Sequence, residues 1–179
     1  MSDAALTEPL YIDIETSRPG GQVTLRADLS DSAVAKVLTE VTGLEMPGTL
    51  KVTQNGAARA VWMSPDELLL LVSDAAACVA QLTEALEGHH HMALDVSDAR
   101  SVLRLTGGAV GEVLAKGVPC DVSDHGCPPG TARRTHLAGL AVGLWRLDDK
   151  TWEVVCFRSF AHHLQAWLAT AATEGAQVG

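Results

Sequence analysis

Two groups of histidines are the residues with the most evident capacity for chemistry. His89, His90 and His91 are consecutive, and His162 and His163 are adjacent. Imidazole nitrogens bind zinc, but neighbouring side chains on a strand point to opposite faces, and neighbours on a helix do not share one. A shared site would need loop geometry and another ligand. We therefore interpret the first group as a polar linker and the second as an exposed helix face.

The four cysteines suggest a second kind of chemistry, nucleophilic catalysis. Cys120 and Cys127 flank His125, and a Cys–His pair can form a nucleophile. No residue that would orient His125 is evident, and the segment has the composition of a loop. Cys78 and Cys156 lie in apolar segments and are interpreted as small core residues. Without a CxxC pair or a disulfide framework, we expect reduced thiols in a cytoplasm.

The segment Asp95-Val96-Ser97-Asp98-Ala99-Arg100 is open to two interpretations. It could bind a polar ligand. Alternatively, it forms a turn in which Asp and Ser side chains bond to local N–H groups and Arg100 pairs with an aspartate. We favour the turn.

Gly107–Gly108, before a predicted helix, could approach an anion. Neither GxGxxG nor a Walker lysine accompanies it, so nucleotide binding is not supported. The sequence also has no HExxH and no Ser-His-Asp elbow. We predict no catalytic, cofactor-binding or metal-binding residue in this chain.

Composition excludes some classes of partner. The chain has 179 residues and a formal net charge of −9, so we expect a nucleic-acid backbone to be repelled. The pair Arg133–Arg134 is interpreted as a solvated strand face. No run of 18 apolar residues is long enough to span a membrane, and the acidic N-terminus does not resemble a secretory signal. These features predict a cytoplasmic protein.

The first half of the chain predicts elements in the order β-β-α-β-β-β-α. Val23, Leu25 and Ala27 alternate with polar residues, which indicates a strand. Val34, Val37, Leu38 and Val41 follow helical spacing. Glycines 43 and 88 mark helix ends, and Asn55–Gly56 indicates a hairpin. The predicted strands are 10–14, 22–28, 49–54, 58–63 and 67–72, and the second predicted helix follows Ser73–Asp74.

The second half repeats this order. Val110, Val113 and Leu114 repeat the spacing of the first helix. A last helix is predicted to begin at a Ser159 cap, with an apolar stripe of Phe160, Leu164, Trp167, Leu168 and Ala171. The predicted strands are 91–96, 101–106, 131–137, 140–147 and 151–157.

Matching residues between the halves indicate an internal duplication. Leu25–Arg26 matches Leu103–Arg104, Pro47–Gly48–Thr49 matches Pro129–Gly130–Thr131, and Trp62 matches Trp145. The prediction is an α+β fold with an internal duplication of two β-β-α-β-β-β-α units, antiparallel sheets and helices packed on them. We expect one domain, with repeats at about 10–88 and 89–174 and a flexible tail at 175–179. Each tryptophan is predicted to anchor packing or an interface.

Two segments of the second half carry a family resemblance. The run ALDVSDARSVLRLTGGAVGEVLAKG at 93–117, and then CPPGTARRTHLAGLAVGLWRLDDKTWEVVCFRSFAHHLQAWLATAA at 127–172, resembles the gamma subunits of heterotetrameric sarcosine oxidases. The motif DVSDAR-SVLRLTG is similar to one in the folate-binding domain of the glycine-cleavage aminomethyltransferase. That resemblance implies an aminomethyltransferase-like fold in which the first strands are exchanged between the two units.

The resemblance implies a complex of four subunits. The beta subunit would carry FAD and covalent FMN, the alpha subunit NAD and a tetrahydrofolate-binding region, and the delta subunit zinc. Sarcosine would be demethylated to glycine, with formation of hydrogen peroxide and 5,10-methylenetetrahydrofolate. The gamma subunit would contribute no catalytic residue and no cofactor, and would dock mainly on alpha, with beta and delta as further partners.

These observations favour a non-catalytic assembly subunit, for which we expect an exposed apolar patch on the isolated chain. One alternative is a stand-alone folate-binding one-carbon transferase, which needs a deep pocket containing a carboxylate, with Asp95 and Asp98 as candidates. Another is a metal-binding module that uses the histidines.

Overall fold

Two five-stranded antiparallel sheets form the centre of the molecule, in a computed structural model that describes residues 11–17 and 20–173. The strands are β1 (Asp13–Ser17), β2 (Gly21–Ala27), β3 (Val52–Asn55), β4 (Ala58–Ser64), β5 (Glu67–Val72), β6 (His91–Asp95), β7 (Arg100–Thr106), β8 (Ala132–Leu137), β9 (Leu140–Arg146) and β10 (Thr151–Phe157). The N-sheet has the order β3-β4-β5-β2-β6, and the C-sheet has the order β1-β7-β10-β9-β8.

Four helices cover the outer faces of these sheets. They are α1 (Ser32–Thr42), α2 (Ala75–Ala85), α3 (Val110–Ala115) and α4 (Ala161–Ala171). Helices α1 and α2 begin at aspartate N-caps, where Asp31 accepts from the Ala33 amide and Asp74 from the Ala77 amide. Among the described helices, none has the length and apolar composition that crossing a membrane requires.

The start of α4 differs from its prediction. Ser159 lies inside a 3-10 turn, Arg158–Phe160, and α4 begins after Phe160 without a side-chain cap. The predicted Ser159 cap is therefore wrong. The Arg158 amide donates to the Ala99 carbonyl, which directs the chain through a tight turn as it leaves β10. The helix therefore starts one residue later than predicted.

The first strand of each half lies in the other half's sheet. Strand β1 pairs antiparallel with β7, from Asp13↔Thr106 to Ser17↔Val102. Strand β6 pairs antiparallel with β2. The predicted first strand, 10–14, is displaced along the chain, and residue 10 lies outside the described part. Because of this exchange, neither sheet is built from one half of the chain alone.

The layers follow the order helix, sheet, sheet, helix. Helices α3 and α4 pack on the C-sheet through residues such as Val113 and Leu164, and α1 and α2 pack on the N-sheet through residues such as Leu38 and Leu82. A third apolar cluster lies between the sheets. It comprises Val61, Met63, Leu69, Leu71, Val102, Ala132, Trp145 and Val155. Strand β5 is thus covered on both faces, which explains its continuous apolar run.

Two equivalent turns join the edges of the sheets. The Val52 amide donates to the Gly130 carbonyl at 3.0 Å, and the Ala132 amide donates to the Leu50 carbonyl at 2.8 Å. These bonds flank a backbone bridge between Lys51 and Thr131. The edge strands β3 and β8 are therefore connected where each begins.

The repeated Pro-Gly-Thr motifs occupy different positions in these turns. The Lys51 amide donates to Gly48 and the Thr131 amide to Pro128, so the equivalent turns are 48–51 and 128–131. The motifs are two residues out of register, and the match between them made from the sequence is wrong as a structural equivalence. Leu50, with φ of 59°, stands where the second turn has Gly130, with φ of 81°.

Candidate functional site

Two of the histidines contact polar groups of the protein itself. The Nδ1 of His89 lies 3.3 Å from Asp31 Oδ2, and the Nδ1 of His91 lies 2.9 Å from the His89 carbonyl oxygen. His162 and His163 are exposed on α4. Within residues 11–17 and 20–173, no group of three or more His, Cys, Asp or Glu side chains is placed to hold a metal ion.

The four cysteines are free thiols, and three of them are buried. Cys78, Cys127 and Cys156 are buried and unpaired. Burial raises the pKa of each of these three thiols, because a thiolate loses its hydration in an apolar interior. A raised pKa keeps the thiol protonated at neutral pH, which does not suit a nucleophile. Cys120 is partly exposed.

Arg146 organises the long loop that contains Cys127. Its buried guanidinium donates to Asp124 Oδ1 at 2.6 Å and to the carbonyl oxygens of Cys127 at 3.2 Å and Asp148 at 3.0 Å. It also lies 5.4 Å from the centre of the Trp152 ring, a cation–π distance. Sequence analysis did not select Arg146, because its partners are distributed over two separate loops. It forms one wall of a cleft of about 700 Å³.

The Asp95 segment forms the predicted turn. Asp95 Oδ1 accepts hydrogen bonds from the Ser97 hydroxyl at 2.5 Å and the Ser97 amide at 2.9 Å, and both lower the pKa of the Asp95 carboxyl. Asp98 is exposed and pairs with Arg158 at 2.9 Å. Arg100 pairs with Glu67 at 3.7 Å, so the predicted pairing of Arg100 with an aspartate is wrong. The two aspartates of the transferase alternative face solvent.

Gly107 has a packing reason for being glycine. Its φ is 145°, and a Cβ there would lie 3.1 Å from the Tyr11 carbonyl oxygen and 3.2 Å from the Ile12 Cα. The N-terminal segment crosses directly over this position. Helix α3, which follows, has only six residues. The glycine is thus explained by the close approach of the backbone.

A buried charge cluster lies between the sheets. Glu153, on β10, has 1% of its surface exposed. Its Oε1 accepts from Arg104 Nη2 at 2.7 Å, and its Oε2 accepts from Trp145 Nε1 at 2.8 Å. Arg59 of the N-sheet lies 3.7 Å from the same Oε2. The cluster therefore ties the two sheets together through a single carboxylate.

The N-sheet contains the matching pair. Arg26 pairs across strands with Glu67, as Arg104 does with Glu153. Arg26 Nη2 donates to Glu67 Oε2 at 2.8 Å. The sequence comparison found the arginines but missed both glutamates. The available signal was a single carboxylate in each of two otherwise apolar strands, ELLLLV and TWEVVCF.

The exposed apolar side chains differ from those predicted. Trp145 and Trp152 are buried and Trp62 and Trp167 are partly buried, so the two buried tryptophans anchor packing and not an interface. The large apolar side chains exposed in the described part are Tyr11, Leu50, Met92, Leu94, Phe157 and Phe160. In β6 the alternation turns Ala93 towards the core and its two apolar neighbours towards solvent.

A groove opens on the inner face of the C-sheet where the N-sheet does not cover it. Its volume is about 420 Å³. We call it the arginine groove, and its principal lining residues are Met63, Arg100, Arg134, His136, Gly143 and Phe157. The lining contains no acidic residue. In a chain with a net charge of −9, this groove is a local concentration of cationic groups.

Comparisons with known sequences point to one family. The model of the sarcosine oxidase gamma subunit family matches residues 26–174. The sarcosine oxidase subunit gamma of Corynebacterium sp. (strain P-1) is 34% identical over 156 residues, which cover 86% of this chain and 76% of that protein. The subunit gamma from Arthrobacter sp. shows the same identity and coverage.

Solved structures agree with the sequence comparison. A chain of the heterotetrameric sarcosine oxidase from Corynebacterium sp. U-96, in complex with pyrrole 2-carboxylate, superposes with a TM-score of 0.83 at 29% identity, covering 94% of this chain and 87% of that chain. Aminomethyltransferase T of the glycine cleavage system from Bartonella henselae has a TM-score of 0.62 at 13% identity, with coverages of 91% and 46%. The latter likeness shows the fold alone, a mixed α+β arrangement similar to that of the aminomethyltransferases. By sequence and by structure, this chain belongs to the sarcosine oxidase gamma subunit family.

Proposed function

We propose that this chain is the non-catalytic gamma subunit of a heterotetrameric sarcosine oxidase and acts in its assembly. The observation that carries the proposal is the 34% identity to known gamma subunits over 86% of the chain. The TM-score of 0.83 to a chain of the heterotetrameric enzyme supports it independently.

The chemistry of the described residues is consistent with a structural role. The buried thiols have raised pKa values. The buried carboxylate Glu153 is held by Arg104 and Trp145. Groups that are neutralised by their own neighbours contribute to packing and specificity rather than to turnover. We propose that this chain supplies no catalytic residue, no cofactor site and no metal site.

The remaining subunits supply the chemistry in this proposal. Alpha is the main contact, and beta and delta complete the heterotetramer. FAD, FMN, NAD, tetrahydrofolate and zinc are carried by those subunits. The assembled enzyme converts sarcosine to glycine in the cytoplasm, with hydrogen peroxide formed from oxygen and the methyl carbon transferred to tetrahydrofolate.

We also infer that one domain arose from two copies of a β-β-α-β-β-β-α unit, at about 10–88 and 89–174. The order β6-β2-β5-β4-β3 of the N-sheet corresponds to β1-β7-β10-β9-β8 of the C-sheet. The equivalent pairs Arg26–Glu67 and Arg104–Glu153 support the correspondence. The predicted flexible tail at 175–179 lies outside the described residues.

The experiment is an affinity purification of the tagged chain from its native host. The expected result is co-elution of three further subunits, flavin absorbance in the eluate and sarcosine-dependent production of peroxide. A colourless eluate that contains this chain alone, at both low and moderate salt, would contradict the proposal. Calorimetry of the isolated chain with tetrahydrofolate then tests the transferase alternative, for which Asp95 and Asp98 are poorly placed because both are exposed.

A further inference from the structure

The arginine groove contains a guanidinium that its own chain leaves incompletely paired. Arg100 Nη1 is buried and has no hydrogen-bond partner among the described residues. Its Nη2 lies 3.7 Å from Glu67 Oε1, beyond hydrogen-bond distance. Nη1 itself is closed to solvent, but the Arg100 side chain as a whole is 20% exposed. The charge of Arg100 therefore reaches the groove, and its own chain compensates it only through the long ion pair with Glu67.

A second arginine of the groove is also available. Arg134 is exposed, and its recorded hydrogen bond is a long one, 3.4 Å from Nη1 to the Met63 carbonyl oxygen. Among the described residues no carboxylate lies within 4.0 Å of its guanidinium, since it takes part in none of the ion pairs. The partly exposed Arg100 and exposed Arg134 thus line one groove that lacks any acidic group.

The groove combines this charge with exposed aromatic surface. Phe157 lines the groove and is 55% exposed, and Phe160 is exposed just beyond it along the chain. Gly143 lets Val155 and Met63 pack closely against the floor, because a Cβ there would lie only 2.9 Å from Val155 Cγ1 and 3.3 Å from Met63 Cε. Arginine and aromatic side chains are enriched at the energetic centres of protein interfaces.

We propose that the arginine groove and Phe157 form the surface on which a partner subunit docks an acidic segment. A carboxylate side chain of the partner lies between Arg100 and Arg134, and an adjacent apolar side chain covers Phe157. Charge complementarity identifies this occupant, since the groove is cationic in an otherwise acidic chain. A small anion would leave Phe160, which lies outside the groove, uncovered. This inference rests on the proposed function and names its docking surface.

The other exposed apolar pair serves as a comparison. Met92 and Leu94 project from the edge strand β6 and line none of the main cavities, including the cationic groove. Neither side chain carries a positive charge with which a partner's carboxylate could pair. The two surfaces therefore predict different sensitivities to mutation.

The test uses the complete complex, co-expressed with a tagged gamma chain. Arg134→Glu and Phe157→Ser are each expected to reduce the co-eluting fraction of the other subunits by about tenfold or more, as for interface hot spots. Arg134→Lys should retain most of the assembly. Lys36→Glu, on an exposed face of α1, and Leu94→Ser are the matched controls and should assemble like the wild type. Circular dichroism of each purified variant verifies folding.

The outcomes separate the two proposals. If the wild-type chain does not co-elute with other subunits, the proposed function fails. If the wild type assembles and the two groove variants assemble equally well, the proposed function stands and the groove is not the docking surface. Loss of assembly in Leu94→Ser but not in Arg134→Glu places docking on β6 and overturns the inference. Stabilisation of the isolated chain by succinate, lost in Arg134→Glu with assembly unchanged, indicates a small-anion site and also overturns it.

Discussion

The N-sheet and the C-sheet carry the same cross-strand Arg–Glu pair in different surroundings. In the N-sheet, Glu67 is also buried; it accepts from half-exposed Arg26 at 2.8 Å and lies 3.7 Å from Arg100. In the C-sheet, Glu153 is buried and accepts from Arg104 and Trp145, with Arg59 of the opposite sheet nearby. Both arginines are partly open to solvent, but Glu153 also accepts from the buried indole N–H of Trp145 and faces buried Arg59, so its removal leaves buried groups uncompensated. The two Arg–Glu pairs are therefore expected to contribute differently to the free energy of unfolding.

The largest expected contrast comes from removing each glutamate. Glu153→Ala leaves Arg104 and the Trp145 N–H without their shared acceptor and buried Arg59 without its counter-charge, and should lower the free energy of unfolding by about 3–5 kcal/mol. Glu67→Ala should cost less, about 1–2 kcal/mol, because Arg26 can turn to solvent and Arg100 loses only an ion pair at 3.7 Å. Urea denaturation of both variants measures the difference. Equal losses would show that the two pairs are energetically equivalent.

A smaller effect should come from the indole N–H alone. Trp145→Phe removes the 2.8 Å bond to Glu153 and should cost about 1–3 kcal/mol, since a buried charge-assisted acceptor loses a donor. Trp62→Phe in the N-sheet is the control, because its partly buried ring has no recorded side-chain hydrogen bond. Thermal unfolding followed by circular dichroism compares them. If Trp62→Phe lost more stability than Trp145→Phe, the smaller ring and not the missing hydrogen bond would explain the loss.

The two turns that join the sheet edges, 48–51 and 128–131, allow a comparison of residues at positive φ. Gly130→Ala places a Cβ at a φ of 81° and should cost about 1–2 kcal/mol. Leu50→Ala should change stability by less, because the position already holds a non-glycine residue at a φ of 59° and its side chain is exposed. Denaturant midpoints measure both changes. An equal cost at the two positions would mean that positive φ is not the deciding factor.

The smallest expected effect concerns two surface aspartates. The Ser30 hydroxyl and amide lower the pKa of the Asp28 carboxyl near the N-sheet, whereas backbone amides of Lys150 and Thr151 contribute to the lowered pKa of Asp148 near the C-sheet. A lowered folded-state pKa stabilises the fold above the unfolded-state pKa, and this contribution is lost as pH falls through the folded value. Ser30→Ala should raise the pKa of Asp28 and leave that of Asp148 unchanged in an NMR titration. If the pKa of Asp28 were the same in the variant, the Ser30 hydroxyl would not be the cause of its lowering.

The order of the elements could be predicted from the sequence because it depends on local patterns. The alternation of Val23, Leu25 and Ala27 and the helical spacing of Val34 and Leu38 gave β2 and α1. In each predicted cap region, Ser30–Asp31–Ser32 and Ser73–Asp74, the aspartate is the cap of the helix that follows. Such signals involve residues within a few positions of one another, so no tertiary information is needed.

The parts that failed depend on contacts between distant residues. The partners of Arg100 and Glu153 lie in other strands, so their pairing follows from sheet register and from the packing of one sheet on the other. The two Pro-Gly-Thr motifs were matched wrongly for a related reason. Their residues are identical, but they occupy positions two residues apart in the equivalent hydrogen-bonded turns. The choice between packing and an interface for the tryptophans also depends on such contacts, and the structure buries Trp145 and Trp152. Phe157, which is exposed, carried no local signal of exposure within its apolar strand.

The exchanged strands have a consequence for synthesis of the chain on the ribosome. Asp13 of β1 pairs with Thr106 of β7, and β2 receives its neighbour β6 only from the next half. Contacts of such high sequence separation form slowly, and an unpaired strand edge invites association with other chains. Until β6 and β7 have emerged, the nascent chain keeps open edges in place of a finished N-terminal unit. The exchange therefore makes folding a late and nearly all-or-none event, so that a truncated product is expected to aggregate or be degraded rather than persist as a half-domain.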